Sequence, residues 1–213
     1  MKYRLAAFDF DGTLADSLPW FESVLDTVAE RYGFRRTSAA EKAQLRHRSA
    51  HDILQYLGIP LWKIPAITMH MRRLMQDGRP DIALFTDIAA TLARLQRQGL
   101  LLSVVSSNTE INVKRVLGPE TSALFTDYEC GTDLFGKPAK IKRLLQRHRI
   151  AGAHCILIGD ELRDIDAARK TGVHAGSVAW GYNHIDVLRA QQPDELFLQI
   201  EDLLNILGEP DAA

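Results

Sequence analysis

The sequence predicts an α/β fold, a parallel β-sheet covered by helices on both faces, with an all-α insertion near the N-terminus. Three observations predict it. Short continuous apolar runs, YRLAAF at 3–8, LLLSVV at 100–105 and CILI at 155–158, have strand length and lack the alternation of a half-exposed sheet. From residue 81 onward, strand-like and helix-like runs alternate. Between the first and second apolar runs, from 17 to about 80, every periodic segment reads as helix.

The elements follow in order. Residues 3–8 form the first strand. Phe21, Leu25, Val28 and Tyr32 recur on one helical face, and Gly33 stops that helix. Ser38 and Glu41 make a capping box that starts the next. Ile53, Leu54 and Leu57 before Gly58 give a short third helix; Ile67, Met71 and Leu74 give a fourth, with Pro65 in its first turn. Ile88, Leu92 and Leu95 lead to a stop at Gly99, and the second strand follows at 100–105. Leu124-Phe125 begins a further short strand, and Pro138 opens a helix carrying Ile141, Leu144 and Leu145. After the strand at 155–158, Ile165 and Ala168 mark a helix ending at Gly172. Residues 173–180 make a weaker strand, and Ile200, Leu203, Leu204 and Leu207 a C-terminal helix. The chain thus divides into a core, 1–16 and 81–213, and a helical insertion, 17–80.

Composition narrows the function. With 213 residues, 46% of them hydrophobic and 25% charged, the chain suits a folded globular protein. Its 26 basic and 27 acidic residues provide no global field for nucleic acid. No apolar run reaches membrane-spanning length, and the N-terminus leads into a strand rather than a signal peptide. Two cysteines, Cys130 and Cys155, make neither a disulfide framework nor a zinc cluster. The expectation is a soluble cytoplasmic protein with reduced thiols. Oligomeric state, monomer or dimer, stays open.

Parallel sheets bind ligands beyond the carboxyl ends of their strands, which selects the polar residues that matter. Asp9-Phe10-Asp11-Gly12-Thr13 follows the first strand, Ser106-Ser107-Asn108-Thr109 the second, and Gly159-Asp160-Glu161-Leu162-Arg163-Asp164 the third apolar run; Gly136-Lys137-Pro138 precedes a helix. Clustered carboxylates repel, and a hard divalent cation such as Mg²⁺ resolves this while keeping positions for phosphate oxygens. A lysine, hydroxyls and turn N–H groups complete a phosphate clamp. Asp9 is placed to attack phosphorus and form an aspartyl-phosphate. Asp11, on the same side of an extended segment, is placed to protonate the leaving alkoxide and then deprotonate water.

These segments, FDFDGTLADS, VVSSN, GKP and IGDELRDIDAA, resemble in order and spacing the four motifs of the haloacid dehalogenase (HAD) superfamily. The resemblance covers nearly the whole chain and is closest to the phosphoglycolate phosphatase-like branch. It implies a Rossmann-like core, a helical cap at 17–80, and Mg²⁺-dependent phosphoryl transfer on a small phosphorylated metabolite. Carried over by residue, it makes Asp9 nucleophile and metal ligand. Asp11 is general acid/base and binds metal through its carbonyl. Ser106 holds the transferring phosphate, with backbone around Ser107 and Asn108; Lys137 neutralises charge, and Asp160 binds metal. Asp164 supports the metal's water shell or Lys137, and Thr13 holds the loop after the first strand.

Other readings accompany these. A β-phosphoglucomutase-like mutase often has a histidine where Phe21 stands, and a phosphonatase needs a cap lysine with no clear match at Lys42 or Lys63. A non-enzymatic phosphate-binding module has no need of Asp11. Glu161 and Asp166 read as surface residues. His47 and His51 have metal-ligand spacing but lack a third ligand. Arg46, His47 and Arg48 form a basic cluster, read first as a solvated face and second as a contact for an anionic substrate group. Trp180 to Asn183 follow the weaker strand and line the entrance or pack beneath it.

Overall fold

In the computed structural model, which describes residues 2–78, 80–131 and 136–207, β1 (Leu5–Phe8) is buried along its whole length. Four helices follow it with no strand among them: α1 (Leu18–Tyr32), α2 (Ala39–Leu45), α3 (Ala50–Tyr56) and α4 (Ile64–Gly78). Next come α5 (Ile88–Arg97), β2 (Leu101–Val105), α6 (Glu110–Ser122), β3 (Asp127–Glu129) and α7 (Gly136–His148). The last described elements are β4 (Cys155–Gly159), α8 (Leu162–Thr171), β5 (His174–Val178), α9 (Ile185–Ala190) and β6 (Glu195–Phe197). All strand pairs are parallel, in the order β3-β2-β1-β4-β5-β6, so the fold is a Rossmann-like α/β core.

The two faces of the sheet sort β1 by its alternation. Ala6 and Phe8 join one cluster, with Ile88, Leu92 and Leu95 of α5 and Val113 and Leu117 of α6. Leu5 and Ala7 join the other, with Ile141 and Leu144 of α7 and Ile165 and Ala168 of α8. Both faces being covered is why the central strands read as unbroken apolar runs. The helices between β1 and α5 have a small cluster of their own around Leu45, Leu57 and Ile59.

Local signals act where the sequence puts them. Gly33 caps α1 in the left-handed region at φ 66°. The Ser38 hydroxyl accepts from the Glu41 N–H while Glu41 accepts from the Ser38 N–H, closing the capping box of α2.

Two expectations are corrected. Leu124-Phe125 does not begin a strand. Phe125 is a core side chain, stacked edge-on to Phe8, and the strand starts at Asp127. Asp127 and Glu129 hide an edge strand from pattern reading because Arg147 and Arg143 of α7 pair with them. The expected C-terminal helix is present at Ile200–Leu207, wound as a 3-10 helix. The weaker strand is shorter than 173–180, ending at Val178. α6, α9 and β6 carry no strong periodic signal and were not expected. In α6, Gly118 at φ 71° and Pro119 break the helical pattern.

Leu92 has no exposed surface and sits between sheet and helices. Leu92→Ala is expected to lower unfolding free energy by about 2–5 kcal/mol, read from the midpoint of urea denaturation with the slope unchanged.

Candidate active site

Strand pairing fixes where the polar residues meet. Phe8 is in register with both Val104 and Ile158, so the chain leaves β1, β2 and β4 at one level. Strand order reverses between β1 and β4, the switch point at which such sheets form a crevice. Asp9 follows β1 there, its N–H donating to the Ile158 carbonyl at 2.8 Å. Asp160 follows β4, and Ser106 follows β2.

Asp9 is buried, with one carboxylate oxygen accepting from the Phe10 N–H at 2.7 Å. Its other oxygen lies 2.5 Å from Nζ of Lys137, in the first turn of α7. Lys137 also pairs with Asp164. Burial alone would lower the Lys137 pKa, but Asp164 and Asp9 outweigh it and hold the ammonium above its ordinary range.

Asp160 is fully buried. Thr13 donates its hydroxyl to one oxygen at 2.8 Å and the Tyr182 N–H donates to the other at 2.7 Å. Burial, then the charges of Glu161, Asp9 and Asp164, push its pKa well above the usual carboxylate range. The backbone is pressed close around it. A Cβ on Gly12, at φ 78°, would stand 2.2 Å from an Asp160 oxygen, and one on Gly181 would stand 2.1 Å from Asp160 Cβ. Asp164 is buried in the first turn of α8 and accepts from the Glu161 N–H at 3.1 Å. Glu161, expected at the surface, is largely covered and paired at 2.5 Å with Arg163.

Carboxylate oxygens of Asp9, Asp160 and Asp164 lie within 4.8 Å of one another. Three buried carboxylates at this separation, one of them with its pKa forced upward, fit a hard divalent cation with oxygen ligands. Asp11 is not in this group. Its carboxylate is turned to Asn108, whose side-chain amide donates to it at 3.2 Å, and burial with the nearby Asp9 charge raises its pKa.

The loop after β2 is tightly held. The Ser106 hydroxyl accepts from the Asn108 N–H at 3.0 Å. Lys140 Nζ donates to the Ser106 and Gly131 carbonyls, each at 2.6 Å. Ser107 is exposed, and its carbonyl accepts from Arg72 of α4. Thus Asp9, Lys137, Asp160 and Asp164 meet directly, Thr13 ties Asp160 to the first loop, and Ser106, Asn108 and Asp11 form the adjoining wall.

The basic cluster is corrected at Arg46, while His47 and Arg48 are exposed, as on a solvated face. Arg46 is neither on a solvated face nor turned to the cavity; it donates to the Tyr182 carbonyl at 3.0 Å and the Gly181 carbonyl at 2.8 Å. His47 stacks on His184 with ring centroids 4.3 Å apart, and Arg48 lies over the Tyr56 ring. Trp180 packs beside Phe85 and donates to the Thr13 carbonyl at 3.0 Å. Tyr182, within the segment expected to line the entrance, does line the cavity over the strand ends, whereas Lys140 and Arg72 were missed. A second lysine three positions after Lys137, hence on the same helix face, was the available signal for Lys140. Arg72 carries none that separates it from surface residues.

Between α1, α4 and the strand ends lies a cavity of about 230 Å³ with Asp11, Ser107 and Asn108 on its core side.

Known proteins share this arrangement's sequence and fold. A family model described as haloacid dehalogenase-like hydrolase matches residues 6–178. A phosphoglycolate phosphatase of Synechococcus elongatus is 34% identical over 203 residues, covering 95% of this chain and 96% of its own. One of Aliivibrio fischeri is 29% identical over 221 residues, covering 96% of each chain. A solved haloacid dehalogenase-like family protein of Streptococcus pneumoniae has a TM-score of 0.76 at 22% identity, covering 95% of this chain and 97% of its own.

The raised carboxyls of Asp160 and Asp11 bind protons in the folded protein at pH values where the unfolded chain has released them. Their contribution to stability is therefore present below the ordinary carboxylate range and lost as pH rises through the folded values. A divalent cation on the three aspartates opposes that loss. Mg²⁺ is expected to raise the melting temperature more at about pH 8 than at about pH 5. Thermal melts with Mg²⁺ or a chelator check this, and an equal shift at both pH values contradicts it.

Proposed function

The chain belongs to the haloacid dehalogenase-like hydrolase family, and we propose that it is a Mg²⁺-dependent phosphatase of a small phosphomonoester, with phosphoglycolate the candidate substrate. The observation that carries this reading is the Asp9 carboxylate at the end of β1, set against Lys137, with Asp11 two residues on in a separate hydrogen-bonded environment. The relatives named phosphoglycolate phosphatase support the substrate class.

The chain's own residues divide the reaction. A carboxylate oxygen of Asp9 attacks phosphorus, the bond from phosphorus to the leaving oxygen breaks, and Asp11 gives that oxygen its proton. Asp11, now a carboxylate, takes a proton from water; the water oxygen attacks phosphorus, the Asp9–phosphorus bond breaks, and phosphate leaves. The raised pKa of Asp11 suits a group that must hold a proton before the first step and regain one in the second. Lys137, the Ser106 hydroxyl and N–H groups at Ser107 and Asn108 orient the phosphoryl oxygens. Asp9, Asp160 and Asp164 would hold Mg²⁺, with the Asp11 carbonyl a further ligand, and the ion supplies neutralisation of phosphoryl charge. The insertion at 17–80 acts as a cap that covers the leaving group. Asp11 weighs against a purely phosphate-binding module, which needs no proton donor there.

Hydrolysis of p-nitrophenyl phosphate with and without Mg²⁺ tests the reading. Asp9→Asn is expected to lower kcat by about 10⁴-fold or more. Asp11→Asn is expected to cost about 10²–10⁴-fold and to prolong a trapped phosphoenzyme, while Asp160→Asn raises the Mg²⁺ concentration required. Turnover near wild type in Asp9→Asn overturns the nucleophile assignment.

A further inference from the structure

We propose that Arg72 determines specificity: carried on α4, its guanidinium reads a carboxylate on the leaving alcohol. This rests on the phosphatase reading above and adds to it the residue that selects the leaving group.

The cavity over the strand ends is about 230 Å³, below the roughly 300–1,000 Å³ of sites for drug-sized ligands. It suits a phosphorylated alcohol of few heavy atoms. Trp20, Phe21, Ile67, Met71 and Met75 make its insertion side largely apolar. Arg72 interrupts that wall with a charge. The guanidinium donates to the Ser107 carbonyl, which places it directly over the loop that holds the phosphoryl group in the proposed reaction. It shares the cavity with Asp11, the proposed proton donor to the leaving oxygen. A leaving group therefore occupies the space bounded by Asp11 on one side and Arg72 on the other.

Two other cations are placed less well. Arg163 also lines this cavity, but from the core helix α8 rather than from the insertion, and it pairs with Glu161 at 2.5 Å. Arg46 lines a different cavity and is bound to the Gly181 and Tyr182 carbonyls. A planar guanidinium in an apolar wall favours a carboxylate over a hydroxyl, because its N–H fork matches both carboxylate oxygens and water competes less.

The test compares kcat/KM for 2-phosphoglycolate with that for 2-hydroxyethyl phosphate, a leaving alcohol of similar size without charge. Wild type is expected to favour the carboxylate substrate at least about tenfold, the scale of one charge-assisted hydrogen bond. In Arg72→Gln that ratio is expected to fall at least about tenfold, carried mainly by KM for 2-phosphoglycolate, with Arg72→Lys retaining part of it. An unchanged ratio, with both substrates losing rate together, overturns the proposal and leaves Arg72 a tie that positions Ser107. A wild type without preference overturns it before any variant is made. Loss of the phosphatase reading looks different: no Mg²⁺-dependent hydrolysis of either substrate or of p-nitrophenyl phosphate.

Discussion

Three buried carboxylates share one lysine. Two unit charges 4.8 Å apart, the outer limit for the ligand oxygens of Asp9, Asp160 and Asp164, repel by about 3–4 kcal/mol at an effective dielectric near 20. Three such pairs rival the whole stability of an ordinary domain, about 5–15 kcal/mol. Lys137 touches two of the three, and one ammonium against three carboxylates leaves two negative charges. Arg163 offsets part of this charge from nearby; the rest is relieved by protonating part of the cluster or by binding a divalent cation. The upward pKa of Asp160 is the first response; a metal would be the second.

That constraint explains the glycines around the site. Gly12 and Gly181 close on Asp160, and Gly159 closes on Asp164, where a Cβ would stand 2.3 Å from a carboxylate oxygen. Each backbone approach excludes water and supplies or aligns an N–H donor. The Tyr182 N–H on Asp160 and the Glu161 N–H on Asp164 are the products of this packing. Substituting a side chain there would push the carboxylate out of the position in which Lys137, or a metal, compensates it.

The same chemistry made the site legible in the sequence. Asp9, Asp160, Ser106 and Lys137 stand next to strand ends or helix starts, and a parallel sheet in register brings those points together whatever the loops do. The core strands were legible because burial on both faces leaves an unbroken apolar run, as in CILI at 155–158. β3 was not, because its acids pair directly with Arg143 and Arg147, 14 to 20 residues further along the chain, which no local pattern records. Arg46 failed for the opposite reason. A basic cluster on a helix looks solvated, and only the fold shows backbone carbonyls waiting for it at Gly181 and Tyr182.

The helical insertion meets the core through these carbonyls on both sides of the cavity. On one side the Arg46 carbonyl accepts from the His184 N–H at 2.8 Å, and Asn183 donates to the Arg46 and Arg48 carbonyls at 3.0 Å. On the other, Arg72 reaches Ser107, and Arg115 donates to the Met75 carbonyl at 3.0 Å. The apolar cluster around Leu45 and Leu57 stays within the insertion, and only Met75 of α4 and Trp20 of α1 reach the core cluster among its described apolar side chains. Polar ties exchange with water at a net cost of about 0.5–1.5 kcal/mol each, far less than opening a buried apolar interface. They also end on the loops that hold Asp160 and Ser106. Contact between insertion and core is thereby coupled to the shape of the proposed phosphoryl site: a leaving group that held Arg72 in place, as proposed above, would also hold the Ser107 carbonyl.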